Sequence, residues 1–94
     1  MNRNKKRAHI LVSGRVQGIF FRDSARKKAK ELGLTGWVKN LSDGRVEAVF
    51  EGDEAVADEM ISWFRQGPVF AKVDDFKVIE DDYRGEFKDF EIRD

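Results

Sequence analysis

Cysteine is absent from these 94 residues, and histidine and proline occur once each. Without cysteine there is no disulfide, no thiolate metal site and no cysteine nucleophile, a composition that fits a reducing, cytoplasmic interior. The one histidine, His9, falls in the middle of an apolar run with no evident partner, so it reads as a structural or exposed residue rather than a base. No cluster has the spacing of metal ligands, and neither a metal nor an organic cofactor is expected. Long apolar runs are missing too. Behind Met1-Asn2-Arg3-Asn4-Lys5-Lys6-Arg7 stands only the stretch Ala8 to Val12, too brief for a signal peptide or a spanning helix, so no membrane contact is expected. Repeats, linkers and low-complexity stretches are absent as well.

What is present describes one small domain. An apolar fraction of 40% with eight Phe and two Trp supports a real core, and 38% charged residues imply a strongly solvated surface. Residues 1–6 are expected to form a flexible basic tail and residues 7–94 a single, monomeric domain. The formal net charge of zero hides a polarity: residues 1–46 hold 12 Lys/Arg against 3 acids, and residues 47–94 hold 6 against 15. The basic half can steer a small anion. Nucleic acid is the weaker reading, because Arg26, Lys27, Lys28 and Lys30 belong to a helix whose other face is apolar, which describes a solvated helical face.

Strands and helices alternate along the chain. Ala8 to Ser13 reads as a strand ended by Gly14. Phe21, Ala25, Ala29 and Leu32 recur at helical spacing, with Gly33 placed to cap the end. Thr35 to Leu41 and Arg45 to Glu51 read as a hairpin about Ser42-Asp43-Gly44, with Val46, Ala48 and Phe50 on one face. Gly52-Asp53 is expected to open a second helix, capped by Asp53, with Val56, Met60, Ile61, Trp63 and Phe64 as its apolar face and Gly67-Pro68 as its stop. Ala71 to Glu80 is a strand, Tyr83-Arg84-Gly85 a turn, and Phe87 to Arg93 a short final strand. The order βαββαβ, with that trailing strand, is the α+β split-βαβ pattern: two helices on one face of a mostly antiparallel four-stranded sheet, with right-handed crossovers. Such a sheet hosts many functions and names none.

Chemistry enters with Gly14-Arg15-Val16-Gln17-Gly18-Ile19-Phe20-Phe21-Arg22, which leaves a strand, turns on two glycines and delivers an arginine onto a helix. Backbone N–H groups freed by the glycines, the open donors of the first helical turn and the guanidinium fork can converge on a phosphate. The loop lacks the Gly-Lys-Ser/Thr ending of a nucleotide loop and the Gly-x-Gly-x-x-Gly spacing of a dinucleotide fold. It also holds no residue able to attack phosphorus. Asp23 and Ser24 follow at the helix start, where capping or surface roles suit them better. Water is then the remaining nucleophile, and it suffices only for an activated substrate. Acyl phosphates qualify, since their carboxylate leaving group has a conjugate acid of pKa about 4 and needs no general acid. Asn40, a neutral donor and acceptor at the end of the second strand, can hold the water. Each of these residues has a plainer reading: Gly14 and Gly18 as turn glycines, Arg22 as a surface arginine, Asn40 as a residue that prefers the turn it precedes, Trp37 and Trp63 as packing residues. Phe20 and Phe21 can wall a pocket, although Phe21 also shares the helical apolar face.

Three ordered blocks then resemble the acylphosphatase family across nearly all of residues 8–92: the loop through Arg22; Gly36-Trp37-Val38-Lys39-Asn40-Leu41-Ser42-Asp43-Gly44-Arg45-Val46-Glu47; and Gly67-Pro68 with Ala71 and Val73. The resemblance implies a ferredoxin-like fold and metal-independent hydrolysis of acyl phosphates to a carboxylate and inorganic phosphate, the latter also a competitive ligand. It places Arg22 at the family's phosphate-binding arginine and Asn40 at its water-orienting asparagine. The backbone of Arg15, Val16, Gln17, Gly18, Ile19 and Phe20 takes the place of its phosphate cradle. Ile19 replaces a commoner valine. Two alternatives stay beside it. One is a catalytically silent phosphate or carbamoyl phosphate binding module, like the acylphosphatase-like domain of a larger hydrogenase maturation enzyme. The other is a small nucleic-acid-binding domain of the same fold, against which stand Glu47 and Glu51 on the open face of the hairpin.

Overall fold

Ala8, Ile10 and Val12 are buried while His9, Leu11 and Ser13 between them are not. That period of two is a strand with one covered face. In the computed structural model, which describes residues 4–94, it belongs to β1, Lys5–Arg15. The chain continues as α1 (Phe21–Glu31), β2 (Thr35–Asn40), β3 (Val46–Asp53), α2 (Glu54–Gln66), β4 (Lys72–Asp82) and β5 (Phe90–Arg93). The strands form one sheet in the order β4-β1-β3-β2-β5. All neighbours are antiparallel except β2 and β5, which run parallel with Trp37 opposite Glu91 and Lys39 opposite Arg93.

Both helices pack on the same side. Phe21, Ala25 and Ala29 of α1 and Ala57, Met60, Ile61 and Phe64 of α2 close over Ile10, Val12, Val38, Val46, Ala48 and Phe50. Phe50 and Phe64 stack with ring centroids 5.9 Å apart, and Phe21 meets the edge of Trp63 at 5.4 Å. Each fully buried ring contributes about 1.5–3 kcal/mol through the apolar surface it removes from water. No helix among the described residues is long and apolar enough to cross a membrane.

The split-βαβ architecture is as expected, with corrections at the ends of elements. β1 begins at Lys5 and runs through Gly14 to Arg15, so Lys5 and Lys6 are paired strand residues rather than tail, and Met1–Arg3 lie outside the described residues. Lys6 reaches Asp58 and Glu80; burial works against its charge, but those two carboxylates outweigh it and raise its pKa. β3 continues through Gly52 and Asp53, which were expected to open α2, and Asp53 makes no side-chain cap. The Glu54 N–H instead donates to the Asn4 carbonyl at 2.6 Å. The trailing strand starts at Phe90 rather than Phe87 and extends the sheet to five strands.

On the open face, Glu51 is buried to 1% exposure although it belongs to the polar side of β3. The segment after β4 folds back over it. The Arg84 and Glu86 N–H groups donate to its carboxylate at 2.7 and 3.2 Å, and Arg7 donates at 3.2 Å. His9, without a partner in the sequence reading, meets Glu47 across the β1–β3 pair at 2.6 Å.

Candidate active site

The site begins with a bulge. Pairing between β1 and β4 runs Ser13 to Asp75 and then Gly14 to Val73, leaving Asp74 as an extra residue. Gly14 sits at that shift with φ 122°, and a Cβ there would stand 2.2 Å from the Lys72 carbonyl oxygen. Only glycine lets the two backbones approach so closely, and the bulge adds local twist as β1 leaves the sheet. The expected stop at Gly14 is therefore a kink inside a longer strand.

Beyond it the loop is pinned on both sides. Val16 is buried in the core, and Gln17 reaches across with its carboxamide, donating to the Leu41 and Arg45 carbonyls at 2.9 Å each. Gly18 and Phe20 both take positive φ, 74° and 61°, and turn the chain into α1. The helix has no side-chain N-cap; its first main-chain bond is from the Ser24 N–H to the Phe20 carbonyl, at 2.9 Å. The N–H groups ahead of Ser24 in that turn are thus left without carbonyl partners within the helix, which concentrates partial positive charge where an anion can settle. Asp23, in the same turn, is held by Arg26 at 2.7 Å.

Asn40 reaches the helix-covered face of the sheet by the period of two. Gly36 and Val38 face the helices, and so does Asn40, the last residue of β2. The turn behind it is closed by the Leu41 N–H to the Arg45 carbonyl at 2.8 Å. Asp43 accepts the Arg45 N–H at 3.1 Å and its Nε at 2.8 Å. The Arg45 N–H foremost, then its guanidinium, holds the exposed Asp43 carboxyl below the usual carboxylate range.

Loop, helix start and strand end enclose a cavity of about 290 Å³. Val16, Gly18, Phe20 and Arg22 form one part of its wall, and Asn40 with Ile92 of β5 forms another. The Arg22 side chain is 34% exposed, its Nη1 lying 3.8 Å from a fully exposed Asp94 carboxylate. Asn40 Oδ1 is buried without a hydrogen-bond partner among the described residues. An acceptor left in that state is rare in a folded protein. Arg15, Gln17 and Ile19 do not line the cavity: Arg15 pairs with Lys72 at the end of β1, Gln17 turns to the β2–β3 turn, and Ile19 packs against the core. Sequence reasoning missed Ile92, because only the parallel pairing of β5 with β2, which sets Ile92 opposite Val38, brings it to the cavity that Asn40 also lines. No group of three or more His, Asp or Glu side chains stands close enough to hold a metal ion among the described residues.

A glycine-kinked loop leads into an uncapped helix start that carries Arg22, on a ferredoxin-like α+β sheet of the kind that hosts many functions. The acylphosphatase family model matches residues 8–92. An acylphosphatase of Rubrobacter xylanophilus is 52% identical over 91 residues, covering 97% of this chain and 83% of that relative. One of Methylococcus capsulatus is 54% identical over 87 residues, covering 93% and 95%. The solved structure of an acylphosphatase from Coxiella burnetii superposes with a TM-score of 0.90 at 44% identity, covering 98% of this chain and 96% of that one. The chain belongs to the acylphosphatase family, and its activity is that of an acyl phosphate hydrolase.

Proposed function

We propose that the cavity hydrolyses acyl phosphates by direct attack of water on a phosphoryl group gripped by Arg22 and loop N–H groups, with Asn40 orienting the water. The observation that carries this reading is the buried, unpartnered Asn40 Oδ1 on the wall of the cavity that Arg22 also lines. That oxygen accepts one O–H of a water and turns the water's lone pair toward phosphorus. The new P–O bond forms as the bond to the acyl oxygen breaks, and the carboxylate leaves with the bonding pair. One water proton stays on the phosphate and the other passes to solvent. The leaving group is a weak base, so no general acid is needed, and positioning with charge neutralisation supplies the acceleration.

The test is release of phosphate from benzoyl phosphate in the presence of a chelator. Arg22→Ala is expected to lose turnover and affinity for inorganic phosphate together. Asn40→Ala is expected to lose turnover, by about 10²-fold or more, while phosphate still inhibits competitively through Arg22. No phosphate release by the unmodified protein would sink the hydrolytic mechanism. Equal loss of phosphate binding in the two variants would sink the division of labour.

A further inference from the structure

Phe20 is placed at a disadvantage twice over. Its φ of 61° is a backbone conformation that glycine or asparagine adopts readily and bulky residues rarely do. Its ring is 82% exposed, whereas Phe21 beside it is 2% exposed and belongs to the core. The turn into α1 explains the backbone conformation but not the ring, since a glycine would make the same turn with no apolar surface in water. The ring stands on the rim of the cavity that holds Arg22 and Asn40. Of the other apolar residues there, Val16 and Phe21 are buried and Ile92 is packed against the core, so Phe20 has the largest apolar surface free to gain from a ligand. The cavity is also far larger than a phosphate group needs.

We propose that Phe20 is the acyl subsite of this enzyme, and that its ring selects acyl phosphates with an aromatic or otherwise large apolar carbon skeleton over short ones. The inference rests on the phosphate seat described above: with the phosphoryl group held by Arg22 and the loop, the acyl group projects to the rim, where the ring offers a face or an edge. One aromatic contact of this kind is expected to favour the aromatic substrate about five- to tenfold.

The experiment compares kcat/KM for benzoyl phosphate and acetyl phosphate in the unmodified protein, in Phe20→Asn, which tolerates a left-handed backbone without the ring, and in Phe20→Tyr, which keeps it. Phosphate contacts are common to both substrates, so the ratio reads the acyl group. The benzoyl to acetyl ratio is expected to fall about five- to tenfold in Phe20→Asn and to hold in Phe20→Tyr. A second measurement needs no variant: phenylphosphonate is expected to inhibit the unmodified protein about five- to tenfold more tightly than methylphosphonate. A ratio that stays within about a factor of two in Phe20→Asn, or equal inhibition by the two phosphonates, overturns the assignment and leaves hydrolysis standing. Failure of the unmodified protein to turn over either substrate removes the hydrolytic reading itself.

Discussion

Replacing Gln17 by methionine keeps the length of the side chain and removes both hydrogens that it donates across the site. Those bonds, at 2.9 Å to the Leu41 and Arg45 carbonyls, tie the loop between β1 and α1 to the turn that follows Asn40. Neither carbonyl becomes an orphan. Leu41 still accepts from the Gly44 N–H at 3.2 Å, and Arg45 from the Leu41 N–H at 2.8 Å. The loss is therefore the net worth of two part-buried bonds, about 0.5–1.5 kcal/mol each and about 1–3 kcal/mol together. In a domain of this size each kcal/mol moves Tm by about 4–8 °C, so a fall of roughly 10 °C is expected by calorimetry. Gln17→Glu is expected to be worse than Gln17→Met, because an ionised carboxylate would face two carbonyl oxygens with nothing to donate. In the proposed mechanism, loosening the loop against the turn misplaces water relative to phosphorus. Turnover of Gln17→Met is then expected to drop about 10- to 100-fold at a temperature where the variant is folded, with inhibition by phosphate weakening less than kcat falls. A Tm within about 2 °C of the parent would refute the energetic part. Full kcat in a folded, destabilised variant would refute the coupling of the loop to Asn40.

Three further outcomes are expected. Glu51→Ala strips the buried acceptor from Arg7 and from the Arg84 and Glu86 N–H groups, and should cost about 3–5 kcal/mol by urea unfolding while kcat of the folded protein is retained, since Glu51 lies at the far end of β3 from Asn40. Gly14→Ala drives a Cβ to 2.2 Å from the Lys72 carbonyl and should destabilise by more than about 1 kcal/mol, with phosphate inhibition weakened because the bulge that aims the loop must shift. The Asp43 carboxyl is held below its unfolded value of about 3.9, so its contribution is complete above that pH and is lost as the pH falls through the lower folded value; Asp43→Asn should flatten the decline of the urea midpoint between about pH 5 and 2 relative to the parent.

Much of the fold was legible because its periods are local. The apolar run from Ala8 to Ser13 marks a strand, and helical spacing at Phe21, Ala25 and Ala29 marks a covered face; Ala8, Ile10 and Val12 and those three helix residues are all buried. Ends of elements were less legible. Gly14 reads as a stop, yet it permits a bulge, because the residue that needs the space is Lys72 on a strand far along the chain. Glu51 reads as an exposed hairpin acid, yet a segment more than thirty residues later supplies the two N–H groups that bury it.

The sequence by itself determined the ingredients of the site: a glycine loop ending on an arginine at a helix start, and an asparagine at a strand end, in a chain without cysteine. Local spacing suffices for these, since glycine conformations, helix starts and strand alternation are properties of neighbouring residues. The tertiary structure alone decided that Arg22 and Asn40 line one cavity and that Gln17 spends its side chain bracing the loop. It also decided that Ile92 closes the wall and that the ring of Phe20 is left in water at the rim. Those facts depend on which strands become neighbours: β3 lies between β1 and β2, β5 pairs with β2, and the pairings of β1 and β5 join residues distant in the chain.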